Sequence, residues 1–260
     1  MNKKFLRCVH NGRIINGYIE DDNVYPIHGE FWEPFEETGE KFPVSEITEW
    51  LPPVTPSKLI AIGLNYRAHA TEVKLPIPEA PVSFLKSVTS LTGHNNDIIY
   101  PVGLTKNVDY EAELAVVIGK RAYKVDEKEA LEYVFGYTCA NDVSARDIQK
   151  RDGQWMLAKS FNTFNPLGPW IVSGISPLDL RVTARLNGKT CQDSRTSDMI
   201  FSVPRLIHFL SQVMPLLPGD VIITGTPSGV GRLNESDRIE IEVENIGILS
   251  NTVRLPSGKL

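Results

Sequence analysis

Short runs of alternating, β-branched residues follow one another along this chain, and helical periodicity is rare between them. That rhythm constrains the fold more than any other feature. Regular α/β folds alternate strands with helical crossovers, and no such βαβ spacing is present. The expected class is therefore α+β, mostly β. The clearest strand patterns are "VDYEAELAVVIGK" at 108–120, "LIAIGL" at 59–64 and "DRIEIEVENIGILSNTVRL" at 237–255. "LRVTARLNGKTCQDSRT" at 180–196 reads as a hairpin with Asn187-Gly188 in its turn. Near the start, "KFLRCVHNGRIINGYIEDDNVYPI" carries Asn-Gly twice, and each dipeptide is a hairpin signal. Two segments read as amphipathic helices. They are "DEKEALEYVFGYT", with Asp126 as its cap, and "SVPRLIHFLSQVMPL" at 202–216. Three prolines in "ITEWLPPVTPSK" break the pattern. They are expected to divide a small β-rich N-terminal domain, residues 1–54, from a larger domain, residues 55–260.

Composition narrows the classes of function. The chain has 260 residues and a net charge of −5, so it carries no basic field to hold nucleic acid or an anionic membrane. No signal-peptide pattern opens it, and no run approaches the roughly 18 apolar residues of a membrane span. Cys8, Cys139 and Cys191 are odd in number and far apart, which disfavours a disulfide framework or a structural zinc site. A soluble, reduced, cytoplasmic protein is expected.

Familiar nucleotide and nucleophile motifs fail. "NGKT" at 187–190 lacks the first glycine of a phosphate-binding loop, because position 183 is Thr183. "SFLK" at 83–86 matches S-x-x-K without its companion motifs, so chance explains it. "TGTPSGVG" is not a dinucleotide fingerprint, and no H-E-x-x-H occurs.

Other side chains are placed to do chemistry. Glu111 and Glu113 are two apart at the start of a strand pattern, so both carboxylates leave one face. A solvent-facing edge is the ordinary fate of such a pair. A hard-cation site is the other reading, since a divalent ion relieves the repulsion between two carboxylates. "CANDVSARD" offers Asp142 and Asp147 as a third carboxylate, and Asp142, at the end of an apolar approach, is the better placed. An all-carboxylate set favours Mg²⁺ or Mn²⁺ over zinc. His69 and Glu72 are i,i+3 neighbours if their segment is helical. A carboxylate beside an imidazole fixes its tautomer, which suits a general base, although a surface pair would look the same. Lys159 lies among apolar and aromatic residues and needs an anionic partner if buried. Arg146 and Gln149, three apart, can hold a carboxylate or an enolate, or each is a plain surface residue. The glycines around Thr226 make a nest of backbone N–H groups or a plain structural turn.

In order and spacing, "GLNYRAHATE", "FLKSVTSLTG", "VDYEAELAVVIGK", "NDVSARDIQ", "WMLAKSF" and "GDVIITGTPSGVG" resemble the fumarylacetoacetate hydrolase family. The likeness is greatest to small members acting on acylpyruvates, oxaloacetate or homoprotocatechuate-pathway dienoates, and it covers residues from about 57 to 260. The resemblance implies a mixed β-sandwich roll and a homodimer. It implies Glu111, Glu113 and Asp142 as ligands of a divalent cation, and His69 with Glu72 as a catalytic dyad on a closing segment. It places Lys159, as a catalytic cation, beside Arg146, Gln149, Gly225 and Thr226 around a small 2-oxo or dicarboxylic acid. The longer, fumarylacetoacetate-cleaving branch has a further aspartate ligand where this chain has Asn65, which argues against that substrate. The activity implied is C–C bond hydrolysis of an acylpyruvate-like acid through a metal-stabilised enolate. Isomerisation or tautomerisation of a 2-hydroxy-dienedioate or of oxaloacetate, and decarboxylation of oxaloacetate, are alternatives on the same enolate. A non-catalytic protein that binds metal and a diacid is a further one.

Overall fold

The computed structural model describes residues 2–256. Its largest sheet has 13 strands and is mixed. Ten of them run, in spatial order, Glu36–Glu37, Asn23–His28, Arg13–Glu20, Lys4–His10, Asn165–Val172, Val134–Asn141, Ala112–Ile118, Val221–Ile223, Leu59–Gly63 and Val82–Lys86. Most neighbours are antiparallel, but Val221–Ile223 pairs parallel with Leu59–Gly63. A second sheet of five strands, Asp97–Ile99, Gly247–Arg254, Arg238–Val243, Arg181–Leu186 and Lys189–Arg195, lies against the middle of the first. The result is mostly β, as the pattern predicts, and has the mixed β-sandwich that the family resemblance implies.

The strand Ala112–Ile118 is buried at every position because each of its faces meets a different layer. Ala112, Leu114, Val116 and Ile118 belong to the main core, with Val182, Ile239, Ile241 and Leu249 of the second sheet. Ala115 and Val117 point the other way, into a cluster with Phe5, Tyr18, Ile27 and Phe31 from the N-terminal segment. A strand covered on both faces reads as a continuous apolar run. The N-terminal strands join the same large sheet, with Lys4 and Phe5 opposite Val172 and Ile171.

Two local expectations need correction. The segment after Asp126 is a 3-10 helix over Glu127–Tyr133 only, and Asp126 makes no side-chain cap bond. From Val134 the chain is a strand, because "VFGYT" is β-branched, aromatic and packed on the neighbouring strand. A Cβ on Gly136 would stand 2.6 Å from the Val172 carbonyl oxygen, so that close pairing needs glycine. Asn16-Gly17 is likewise not a turn. It lies inside Arg13–Glu20, with Gly17 opposite Pro26 and pressed against the Tyr25 carbonyl. Asn11-Gly12 does turn the first hairpin, with φ of 49° and 72°. The helix Val203–Val213 and the Arg181–Leu186/Lys189–Arg195 hairpin form as expected. Cys8, Cys139 and Cys191 are free thiols. No helix among the described residues is long and apolar enough to cross a membrane.

Candidate active site and metal centre

Strand register assembles the acidic cluster. Ala112 pairs with Asn141 and Glu113 with Ala140, so one step further along the ladder sets Glu111 opposite Asp142. Backbone bonds hold that step: Asp142 N–H donates to the Glu111 carbonyl at 2.9 Å, and Glu111 N–H to Asn141 Oδ1 at 3.0 Å. Glu111, Glu113 and Asp142 each present an oxygen within 4.8 Å of the other two, and all three are buried. Glu111 sits in the break between the strands Val108–Tyr110 and Ala112–Ile118 rather than inside one strand, but its carboxylate still converges with that of Glu113.

The charges around the cluster are uneven. Lys159 Nζ donates to Glu111 Oε2 at 2.9 Å and to Asp142 Oδ2 at 2.7 Å. Lys86 Nζ donates to Asp142 Oδ1 and, at 3.0 Å, to the Phe164 carbonyl. Arg146 Nε reaches Asp109 Oδ2 at 2.9 Å, and its Nη2 reaches Glu111 Oε1. Burial works to raise the Glu111 pKa, yet Lys159 and Arg146 hold that carboxyl well below the usual carboxylate range. Among the described residues no cation stands within ion-pair distance of Glu113. It accepts a hydrogen bond from Gly225 N–H at 2.6 Å. Burial first, then the neighbouring Asp142 and Glu111, push its carboxyl well above the usual range. A buried carboxylate left so is where a proton or a metal cation finds most to gain. Three convergent oxygen ligands with one charge uncompensated fit a hard divalent ion, and no Cys or His belongs to the cluster.

His69 and Glu72 lie on the helix Arg67–Glu72, which follows the strand Leu59–Gly63 after a turn with Leu64 at φ 55°. The i,i+3 spacing brings His69 Nδ1 within 3.0 Å of Glu72 Oε2. The other oxygen of Glu72 accepts from Gly229 N–H at 2.9 Å, tying the helix to the loop that follows Val221–Ile223. Asn65 makes a second tie. Its Nδ2 donates to the Thr224 carbonyl at 2.7 Å and the Phe201 carbonyl at 3.0 Å, and its Oδ1 accepts from Phe201 N–H at 2.8 Å. With all three bonds made to backbone, this amide is a clamp between chain segments.

These parts open on one cavity of about 290 Å³. Glu111, Lys159, Arg146, Gln149, Thr226 and His69 all reach it, and Ile62, Val73, Leu75 and Trp155 form its apolar wall. Gln149 Oε1 accepts from Arg146 Nη1 at 2.5 Å. Gly225 contributes through its N–H to Glu113, and Thr226 Oγ1 accepts from Gln192 Nε2 at 2.8 Å.

Sequence reasoning missed Lys86, Asp109 and Asn141. Lys86 was within reach: in the strand Val82–Lys86 it falls on the face of Phe84, so alternation points a lysine inward. Its 3% exposure makes it a buried cation, not the accidental end of an S-x-x-K match. Asp109 and Asn141 carry no local signal, since their roles depend on pairing across the sheet.

Comparison with known proteins agrees with this architecture. Residues 58–254 match the family model described as Fumarylacetoacetate (FAA) hydrolase C-terminal. The chain belongs to the fumarylacetoacetate hydrolase family. Residues 3–53 match a second model, described as Rv2993c-like, N-terminal. Within the family, a protein of Archaeoglobus fulgidus is 50% identical over 95% of this chain and 94% of its own length. The oxaloacetate tautomerase YisK of Bacillus subtilis is 44% identical over 85% of this chain and 78% of its own. Among solved structures, the 5-carboxymethyl-2-hydroxymuconate delta-isomerase of Mycobacterium smegmatis superposes with a TM-score of 0.91 at 41% identity, covering 97% of this chain and all (100%) of that one. A more distant member, the maleylpyruvate hydrolase of Sphingobium sp. SYK-6 in complex with manganese(II) and pyruvate, reaches a TM-score of 0.81 at 26% identity over 98% of this chain and 100% of its own.

Proposed function

We propose that this enzyme moves a proton between carbon and oxygen of a small 2-oxo dicarboxylic acid, interconverting its enol and keto forms, with Mg²⁺ or Mn²⁺ held by Glu111, Glu113 and Asp142. The observation that carries the reading is a buried acid triad whose Glu111 lines the same cavity as His69, the partner of Glu72. When bound, the cation supplies Lewis acidity that favours the ionised enol of a 2-oxo acid. The rest is done by side chains. A carboxylate only accepts, so Glu72 holds the proton of His69 on Nδ1 and leaves Nε2 as the site of proton exchange. The bare Nε2 takes the proton from the enol oxygen and delivers it to the carbon next to the 2-oxo group, so the ring ends in the form in which it began. Lys159 places positive charge beside the developing enolate. Arg146, Gln149 and the Thr226 loop orient the substrate's carboxylate. The names of two similar proteins, an oxaloacetate tautomerase and a delta-isomerase, support proton transfer as the chemistry.

Hydrolysis of a C–C bond is the second reading. The same free Nε2 in the cavity is placed to activate a water, and one more distant relative is named a maleylpyruvate hydrolase. Ultraviolet loss of the oxaloacetate enol, followed beside pyruvate release from an acylpyruvate and carbon dioxide release from oxaloacetate, separates these outcomes. The expected result is faster enol decay with Mg²⁺ or Mn²⁺, lost on chelation, and about 10²–10⁴-fold slower in His69→Ala. Pyruvate release without any effect on enol decay would make hydrolysis the activity. An unimpaired His69→Ala enzyme would remove the dyad from either reaction.

A further inference from the structure

We infer that Lys150 reads the far carboxylate of the substrate and so selects dicarboxylic over monocarboxylic acids, an assignment that rests on the site reading above. The argument is one of charge. Three cations line the cavity: Arg146, Lys150 and Lys159. Lys159 is fully engaged by Glu111 and Asp142, and Arg146 by Asp109 and Glu111. Neither has charge to offer a distant anion. Lys150 differs. Among the described residues no carboxylate stands within ion-pair distance of it, and the nearby acids on its own helix are turned elsewhere. Asp147 accepts from Thr105 Oγ1 and, at 3.2 Å, from Lys106 N–H. Asp152 accepts from Arg151, with Nη2 at 2.9 Å.

Position strengthens the case. Lys150 follows Arg146 by four residues on the helix Arg146–Asp152, so both project from one face. Arg146 meets Glu111 at the acidic end of the cavity. Lys150 therefore stands one helical turn away, about 6 Å along the axis, on the same wall. A short diacid held at one end by the acid cluster brings its second carboxylate to that height. Val73, Leu75 and Trp155, which line the same cavity, offer the second carboxylate no polar partner, whereas Lys150 is exposed with its ammonium free to meet it. Among the described residues that line the cavity, Lys150 is thus the lysine or arginine without a carboxylate partner.

The test uses full-length protein loaded with Mn²⁺, two ligands that differ at the far end only, and a chelating control without a tail. Calorimetric Kd values are measured for oxalate, which has no tail, for 2-hydroxysuccinate, and for 2-hydroxybutyrate, in which a methyl replaces the second carboxylate. Wild-type protein is expected to prefer 2-hydroxysuccinate to 2-hydroxybutyrate by about tenfold. Lys150→Met should bring that preference to within about twofold with oxalate unchanged, and Lys150→Arg should keep most of it. A Lys150→Met protein that retains the wild-type preference overturns the assignment. So does one that loses oxalate as much as 2-hydroxysuccinate, because Lys150 would then act on the whole site. If wild-type protein does not bind oxalate with Mn²⁺, the site reading itself falls, and that is visible before any variant is compared.

Discussion

At the scale of single residues, Glu113 decides how the site behaves without and with a cation. Its two neighbours in the triad are neutralised by lysine and arginine, whereas Glu113 has only a backbone N–H. In the metal-free protein it is a cost to stability, and under the proposed reading a bound cation would make it a ligand. Glu113→Gln removes the like-charge repulsion while keeping the acceptor that Gly225 needs. Metal-free Glu113→Gln should be more stable than wild type by about 1 kcal/mol, read as a higher Tm. The rise in Tm that Mn²⁺ gives the wild type should shrink or vanish in the variant. A variant that is less stable and still gains the full rise would show that Glu113 is not a ligand.

At the scale of elements, the sheet is held in register by a buried acid outside the active site. Asp220 has no exposed surface. It accepts from Ser57 Oγ at 2.6 Å, Lys58 N–H at 3.1 Å, Leu217 N–H at 2.6 Å and the Lys58 ammonium. Lys58 and Asp220 immediately precede the parallel strands Leu59–Gly63 and Val221–Ile223, where Leu59 pairs with Val221. A slip of one residue would turn every side chain of a strand to the wrong face, and this junction prevents it. Asp220→Ala should cost about 3–5 kcal/mol, since Lys58 and two backbone donors lose their acceptor. A denaturation midpoint equal to that of wild type would dismiss this role. No local pattern announces that pairing, because its two halves are 162 residues apart in sequence. What was legible had local causes. Asn187-Gly188 turns its hairpin, and the apolar stripe of 203–213 makes its helix. Glu111 and Glu113 share a face through strand periodicity. The segment 126–138 misled because its acidic, alanine-containing start favours a helix, whereas its second half is claimed by the sheet. In the site, the short-range pair His69–Glu72 was readable from spacing. The partnership of Lys86 with Asp142 required the fold.

At the scale of the whole molecule, the two sheets and the N-terminal segment meet at His94. Its Nδ1 accepts from Ser250 N–H at 3.1 Å, on a strand of the second sheet, and its ring packs edge-on against Trp50 of the N-terminal segment. Burial, with Arg238 nearby, brings its pKa down to about 4 from 6.5. The unfolded chain takes up this proton near pH 6.5 and the folded one only near pH 4. The stability His94 confers is therefore complete above pH 6.5 and declines as pH falls from 6.5 to 4, by about 2 kcal/mol once its partial exposure is allowed for. Urea midpoints at pH 7 and pH 5 should differ more for wild type than for His94→Gln. Identical pH dependence in the two would assign the acid sensitivity elsewhere. The parallel pair has a further consequence, for the order in which a ribosome delivers the parts. Leu59, Ile60, Ala61 and Ile62, all destined for burial, are made well before the strand that receives them, Val221–Ile223. Until that strand is made, the pair Leu59–Gly63 and Val82–Lys86 lacks its neighbour in the sheet, and its open apolar edge is a target for chaperones or for another nascent chain.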